Sequence, residues 1–208
     1  MSWTDTLEML SLGKSSAVLF CTATTGLHRT DKLLAVSYQV YDGDVCVKTG
    51  TLFMDATNEE LASGMQYHQI TPDILRGNAM TREDFKESLL GLLSKSVAFT
   101  YNAAFQIKAL TLMGGGIIES MPCEVCELPL WVKAGESRLH FSVNLPLEKA
   151  QVQLASRVTI PTWKKMLEYR GIASKAPPGM LPVVYNAECL ARMYDALIEQ
   201  PPDIEPVL

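Results

Sequence analysis

The groups in this chain that could do chemistry are thiols, imidazoles and one cluster of cations. The five cysteines are Cys21, Cys46, Cys123, Cys126 and Cys189. Cys123-Glu124-Val125-Cys126 has the spacing of half a zinc site or of a redox dithiol. Zinc needs four ligands, and no second Cys pair or His-x-x-x-His completes the set. A redox dithiol needs a helix N-terminus behind its first Cys to lower that thiol's pKa. The favoured reading is structural thiols. Cys21 and Cys189 read as small buried hydrophobes. His28 and His140 have no ligand spacing, and His68 reads as a backbone-bonding histidine. Leu12-Gly13-Lys14-Ser15 ends like a phosphate loop, but the earlier glycine of that motif would fall at Glu8. Residues 157–175 carry Arg157, Lys164, Lys165, Arg170 and Lys175 against Glu168 alone. Such a stretch could track a phosphate backbone, although a solvated helix face is the simpler reading. Trp3, Trp131 and Trp163 read as core or interface anchors rather than base-stacking platforms.

These groups sit on a chain of 208 residues, 48% hydrophobic and 20% charged, with a net charge of −5. That size fits one domain, here residues 1–199, with a Pro-rich tail at 200–208. The acidic balance argues against a broadly basic nucleic-acid coat but allows a local basic groove. No apolar run approaches the ~20 residues of a membrane span. Met1 to Lys14 lacks the pattern of a signal peptide, so the thiols are expected to be reduced and the location cytoplasmic.

Ala17 to Thr22 reads as a buried strand, and Leu33 to Tyr41 as a second. Asp42-Gly43 signals a hairpin turn into a third, Val45 to Met54. Thr81-Arg82-Glu83-Asp84 resembles a capping box, and Phe85, Leu89, Leu92 and Leu93 behind it share one helical face. A strand is expected at Val97 to Tyr101 and a helix from Ala103 to Met113, stopped by three glycines. Val125 to Val132 reads as a strand, and Thr162 to Tyr169 and Val184 to Glu199 as helices. This order predicts an α/β domain with a mixed sheet flanked by helices.

Four segments resemble one family. Cys21-Thr22-Ala23-Thr24-Thr25-Gly26-Leu27 resembles the Asp-Thr-Glu-Thr-Thr-Gly-Leu of the DEDD exonucleases, the 3′→5′ proofreading exonucleases like the epsilon subunit of bacterial DNA polymerase III. Tyr67-His68-Gln69-Ile70-Thr71 resembles the family's His-Gly-Ile-Thr linker. Tyr101-Asn102-Ala103-Ala104-Phe105-Gln106 resembles His-Asn-Ala-Ala-Phe-Asp. Asn186-Ala187 stands where the family has its last Asp-Ala. The resemblance runs from about residue 16 to 199 and implies a ribonuclease-H-like exonuclease fold.

The same resemblance implies that the chemistry has changed. The family holds two Mg²⁺ or Mn²⁺ ions with four carboxylates. Those positions are Cys21, Ala23, Gln106 and Asn186 here, and Leu181 stands at the general-base histidine. Asp31, Glu188 and Asp195 are the nearest substitutes. Glu188 is turned about 200° from Asn186, and Asp195 lies more than two turns on. The chain is therefore expected to be a degenerate, non-catalytic member without a metal cofactor. It would bind single-stranded nucleic acid, a nucleotide or a replication or repair protein, and no membrane. Thr24, Thr25, Gly26, Leu27, Asn102 and Phe105, with Lys164 and Lys165, would contact nucleic acid. The alternatives are an active exonuclease with an unorthodox metal site around Cys21, and a pure protein-interaction module.

Overall fold

Ser16–Thr24 (β1) carries an unbroken apolar run from Ala17 to Cys21, all buried, which suits a strand covered on both faces and flanked on both edges. The computed structural model describes residues 16–127, 132–134, 137–139, 163–169 and 171–199. In it β1 pairs antiparallel with Leu33–Asp42 (β2) and parallel with Ser96–Thr100 (β5). Val45–Met54 (β3) folds back on β2, and Asp42 pairs with Val45. The turn is thus Gly43-Asp44, one residue later than the Asp42-Gly43 signal, with Gly43 at φ +63°. Ala79–Met80 (β4) lies parallel to the end of β3, and Val125–Glu127 (β6) parallel to β5. The sheet has six strands in the order β4-β3-β2-β1-β5-β6. Val132–Ala134 (β7) and Ser137–Leu139 (β8) form a separate two-stranded ribbon; of the strand expected from Val125 to Val132, residues 128–131 lie outside the described residues.

Three short helices follow β3: Asn58–Ala62 (α1), Met65–His68 (α2) and Pro72–Leu75 (α3). Then come Arg82–Leu93 (α4), Ala103–Thr111 (α5), Trp163–Tyr169 (α6) and Pro182–Glu199 (α7). Thr81 caps α4 by accepting from Asp84 N at 3.2 Å, while its hydroxyl donates to the Asp84 carboxylate at 2.8 Å. Asp84 is one methylene shorter than the Glu of a capping box, and its carboxylate takes the Thr81 hydroxyl. The α5 helix stops at Thr111, short of the expected Met113, and a 3-10 turn at Met113–Gly115 takes over. Behind α6, Gly171 at φ +67° lets Ile172 N donate back to Leu167 O at 2.8 Å, the αL ending expected of a helix-stopping glycine.

Two cores sandwich the sheet. Leu19, Cys21, Ala23 and Phe99 pack on one face against Ala187, Leu190, Ala191 and Tyr194 of α7. Val18, Phe20, Val36 and Ala98 pack on the other against Phe85, Leu89 and Leu93 of α4 and Leu110 of α5. Leu92, expected on the same stripe, is only half-buried. Among the described residues no helix is long and apolar enough to cross a membrane. The tail 200–208, the N-terminal 14 residues, Trp3, Trp131, His140, Arg157, Arg170 and the Lys165 side chain lie outside the described residues.

Candidate functional site

The site is built where β1 outruns its neighbour. Strand β5 pairs with β1 only as far as Leu19 opposite Phe99. Past that point the β1 backbone must find partners elsewhere, because a buried unpaired N–H or C=O is costly. Thr100 Oγ1 donates to Phe20 O at 2.6 Å. Gln106, carried in by α5, accepts from Thr22 N at 2.9 Å through its Oε1. Gln106 Nε2 donates to Tyr101 O at 3.4 Å. The amide that stands at a carboxylate position is therefore spent on holding the strand.

On the α7 face, Cys21 and Ala23 are 5% and 7% exposed. They share one apolar cluster with Val183, Tyr185, Ala187 and Cys189, and Leu181 packs against it. Burial, and then the neighbouring Cys189 thiol, push the Cys21 pKa up to about 12. Cys21 is a protonated thiol at neutral pH. Burial also raises Cys189, partly offset by the Tyr185 hydroxyl beside it. Tyr185 OH donates to Ala173 O at 2.8 Å. Asn186 Oδ1 accepts from the Trp163 indole N–H at 2.9 Å. The Trp163 ring packs against Tyr101 at a tilt of 43°, with centroids 4.7 Å apart. Gln106, Tyr101, Trp163 and Asn186 thus form a continuous rim joining α5, α6 and α7. Sequence reasoning placed Gln106 and Asn186 but missed Trp163 as their link. The contact spans 23 residues and leaves no periodic signal.

The loop after β1 is rigid. Thr25 N donates to Lys32 O and Lys32 N to Thr25 Oγ1, both at 2.9 Å. Thr24 Oγ1 donates to Gly26 O at 2.6 Å. Asp31 accepts from His28 N at 2.6 Å. A Cβ at Gly26 would sit 2.5 Å from the Asp31 carboxylate, so a larger residue there would have to displace that side chain. Lys108 reaches across from α5 to Leu27 O at 2.6 Å. Leu27 itself is 70% exposed. Asn102 begins α5 in the left-handed region and is exposed, whereas Phe105 packs half-buried against the opposite core. Lys164 is exposed and paired with Glu168 at 3.7 Å, as a solvated helix face would have it.

Two of the candidate substitute acids, Asp31 and Asp195, are engaged elsewhere. Asp31 ties its own loop. Asp195 faces the Tyr41 hydroxyl, whose pKa is raised by burial and then by that carboxylate. Tyr41 sits opposite Ala17, four residues before Cys21 on β1 and so about 13 Å away at ~3.3 Å per residue. Among the described residues no group of three or more His, Cys, Asp or Glu could hold a metal ion. Cys123 lies just before β6 and not at a helix start; its thiol is pushed up to about 11, chiefly by burial.

The linker keeps its expected geometry. His68 Nδ1 accepts from Ile70 N and Nε2 donates to Ser63 O, both at 3.0 Å, which defines the tautomer. Gln69 stands at the glycine of the family's linker and adopts φ +56°. Left-handed backbone costs an L-residue roughly 1–2 kcal/mol, and the added freedom of an unfolded glycine offsets part of the gain. Gln69→Gly is therefore expected to stabilise the chain by about 0.5–1 kcal/mol. Urea denaturation should show a higher midpoint at an unchanged slope.

No protein-family model matches the chain, and no curated protein matches it in sequence. Solved structures do match in fold. The zinc-bound E. coli exonuclease I–single-stranded DNA complex aligns with a TM-score of 0.58 at 12% identity, covering 90% of this chain and 41% of that one. E. coli exonuclease I with a dA13 oligonucleotide gives a TM-score of 0.57 at 12% identity, covering 91% and 41%. Exonuclease X in complex with 5′-overhanging duplex DNA gives 0.51 at 14% identity, covering 89% and 92%. The chain thus spans less than half the length of exonuclease I and nearly all of exonuclease X. The fold is the ribonuclease-H-like α/β exonuclease fold.

Proposed function

We propose that this chain is an exonuclease-like protein without hydrolytic activity that binds the end of a single strand of nucleic acid. The observation that carries the reading is the state of the donor set. A pair of Mg²⁺ or Mn²⁺ ions needs hard, preferably anionic oxygens. Cys21 offers a soft, protonated sulfur, and Ala23 offers nothing. The Gln106 oxygen holds Thr22 N and the Asn186 oxygen holds Trp163. Leu181 cannot take a proton. This set does not fit the metal pair, and no hydrolytic step follows from it.

Binding is a separate matter. Loss of four carboxylates removes their repulsion toward phosphate. Past the buried end of β1, Leu27 is 70% exposed, and Tyr67 on α2 is 75% exposed. The two segments meet where Ser63 Oγ donates to Thr25 O at 3.3 Å. Exposed flat or apolar groups of this kind suit an unstacked base, which every sequence can supply. The proteins of this fold named above were captured with DNA.

The test is fluorescence anisotropy with labelled single-stranded DNA and RNA in EDTA, run beside a nuclease assay with Mg²⁺ and Mn²⁺. The expected result is saturable binding without metal and no shortening with it. Leu27→Ala should weaken binding by roughly tenfold, about 1.4 kcal/mol. Metal-dependent shortening of the strand, or no binding to either oligonucleotide, overturns the proposal.

A further inference from the structure

A second feature lies on the other face of the sheet, away from the cleft, and goes beyond the function proposed above. Among the described residues, β3 has an outer neighbour only at Phe53 and Met54, where β4 pairs with it. No described strand pairs with its edge from Val45 to Leu52, and Val45 and Val47 are each 58% exposed. Val47 is an extra residue, since Tyr41 pairs with Cys46 and Val40 with Lys48. That bulge guards the first part of the edge and leaves Lys48 to Leu52 as regular strand.

Beside this edge runs a groove of about 640 Å³ between the sheet and the C-terminal half of α4. That volume is within the range of ligand-binding clefts. Its lining is mixed: Val40, Leu52, Met80 and Leu92 are the apolar part, with the Tyr38 ring laid across Gly50, and Ser16, Ser88 and Ser96 add hydroxyls. The half-buried position of Leu92, off its expected stripe, belongs to this groove. Gly91 of α4 lines the groove, and a Cβ there would meet nothing within 4 Å. Two ammonium groups, Lys48 and Lys95, stand at the rim, and no described carboxylate lines it. Lys48 sits 5.6 Å over the Tyr38 ring, which holds its charge at the groove. Among the described residues, a trough with two cations and no carboxylate stands out on a chain of net charge −5.

We infer that the β3 edge and this groove form a docking site for an extended acidic peptide of a partner protein. The peptide adds a strand along Lys48 to Leu52, sets alternate apolar side chains on the apolar part of the lining and turns carboxylates toward Lys48 and Lys95. Main-chain hydrogen bonds supply affinity in this mode, and the groove supplies side-chain selection. A second copy of this chain is a poor occupant. Its own β3 edge brings Lys48 and no acid between Val45 and Met54, so it offers the two ammonium groups no partner. A nucleic acid strand would use the cations but leave the apolar lining and the β3 edge unmatched.

The test uses the full chain and a labelled peptide of alternating valine and glutamate, with a valine–lysine peptide of equal length as control. Gly91→Leu fills the groove with a better helix former and without strain. The valine–glutamate peptide should bind saturably, and the control should not. Gly91→Leu should weaken binding by roughly tenfold or more, and Lys48→Glu with Lys95→Glu should do the same, with unchanged thermal melts. Leu27→Ala should leave peptide binding unaltered, which separates this site from the cleft. No binding, or equal binding by the Gly91→Leu variant, overturns the inference. So does a wild-type dimer that Gly91→Leu abolishes. So does oligonucleotide binding that is lost in the Lys48→Glu, Lys95→Glu variant.

Discussion

Returning carboxylates to β1 as Cys21→Asp with Ala23→Glu is expected to destabilise the chain by about 3–5 kcal/mol at neutral pH, the scale of an uncompensated buried charge. Both positions are under a tenth exposed and packed among Tyr185, Ala187 and Cys189. They lie two residues apart on one face of the strand, so the two acids would also repel each other. Burial and the like charge both raise their pKa values. The sign follows from linkage. A carboxyl whose folded pKa exceeds its unfolded value of ~4 loses stability as pH rises above 4, by about 1.4 kcal/mol per unit, until the folded pKa is reached. The variant should therefore be more stable at pH 5 than at pH 7 in urea denaturation. In the wild type Cys21, pushed up to about 12, contributes no such slope in that window. Equal stability of variant and wild type at pH 7 would mean that the face is an open cleft. Adding Gln106→Asp and Asn186→Asp completes the family's four carboxylates, and Leu181→His its general base. Mn²⁺ at a hundred times its Kd should then return about 2.7 kcal/mol to this variant and nothing to wild type. A wild type whose melting responds to Mn²⁺ beside a variant whose melting does not would show that these are not the metal positions.

How far the sequence could be read depended on the range of the forces. The doubly buried run of β1, the β2–β3 hairpin and the stripes of α4 and α7 are local patterns, and each element stands within a few residues of its expected place. Helices α1 to α3 were missed because they are four or five residues long and carry no period. Their ends are set by caps instead: a full capping box from Thr57 to Glu60, and Thr71 ahead of Pro72. Strand β4 is two residues paired across the sheet, with no local signal at all. The site divides in the same way. The motifs located Cys21, Ala23, Gln106 and Asn186 by number. They could not show that Gln106 substitutes for a missing strand at Thr22, or that Asn186 answers to Trp163. Phe105 sits inside a motif yet serves the opposite core, because α5 turns it toward α4.

Trp163→Ala is expected to cost about 3 kcal/mol, the low end for a buried aromatic, since the ring is only half-covered. Three losses combine. The indole leaves the Tyr101 face, where such a pair contributes roughly 1 kcal/mol beyond its area. The bond to Asn186 goes, another ~1 kcal/mol, with the amide oxygen left to water. The apolar cover over the Cys21 cluster thins, since Trp163 packs against it. Trp163→Phe keeps the ring and loses mainly the bond, so it should cost about 1 kcal/mol. Asn186→Asp should be nearly silent, because a carboxylate still accepts from the indole. Tyr101→Ala combined with Trp163→Ala should fall short of additivity by about 1 kcal/mol, as contacting residues do. Chemistry gives an independent readout. The Cys21 thiol is kept near 12 by burial first, so letting water reach it should lower that pKa toward the ordinary value. Thiol labelling at pH 8 should then modify Cys21 faster in Trp163→Ala than in wild type, with Cys46, already exposed, as the internal reference. A Trp163→Ala chain that melts like wild type and labels Cys21 no faster would mean that α6 does not cover the site, and that the vacated acid positions face solvent.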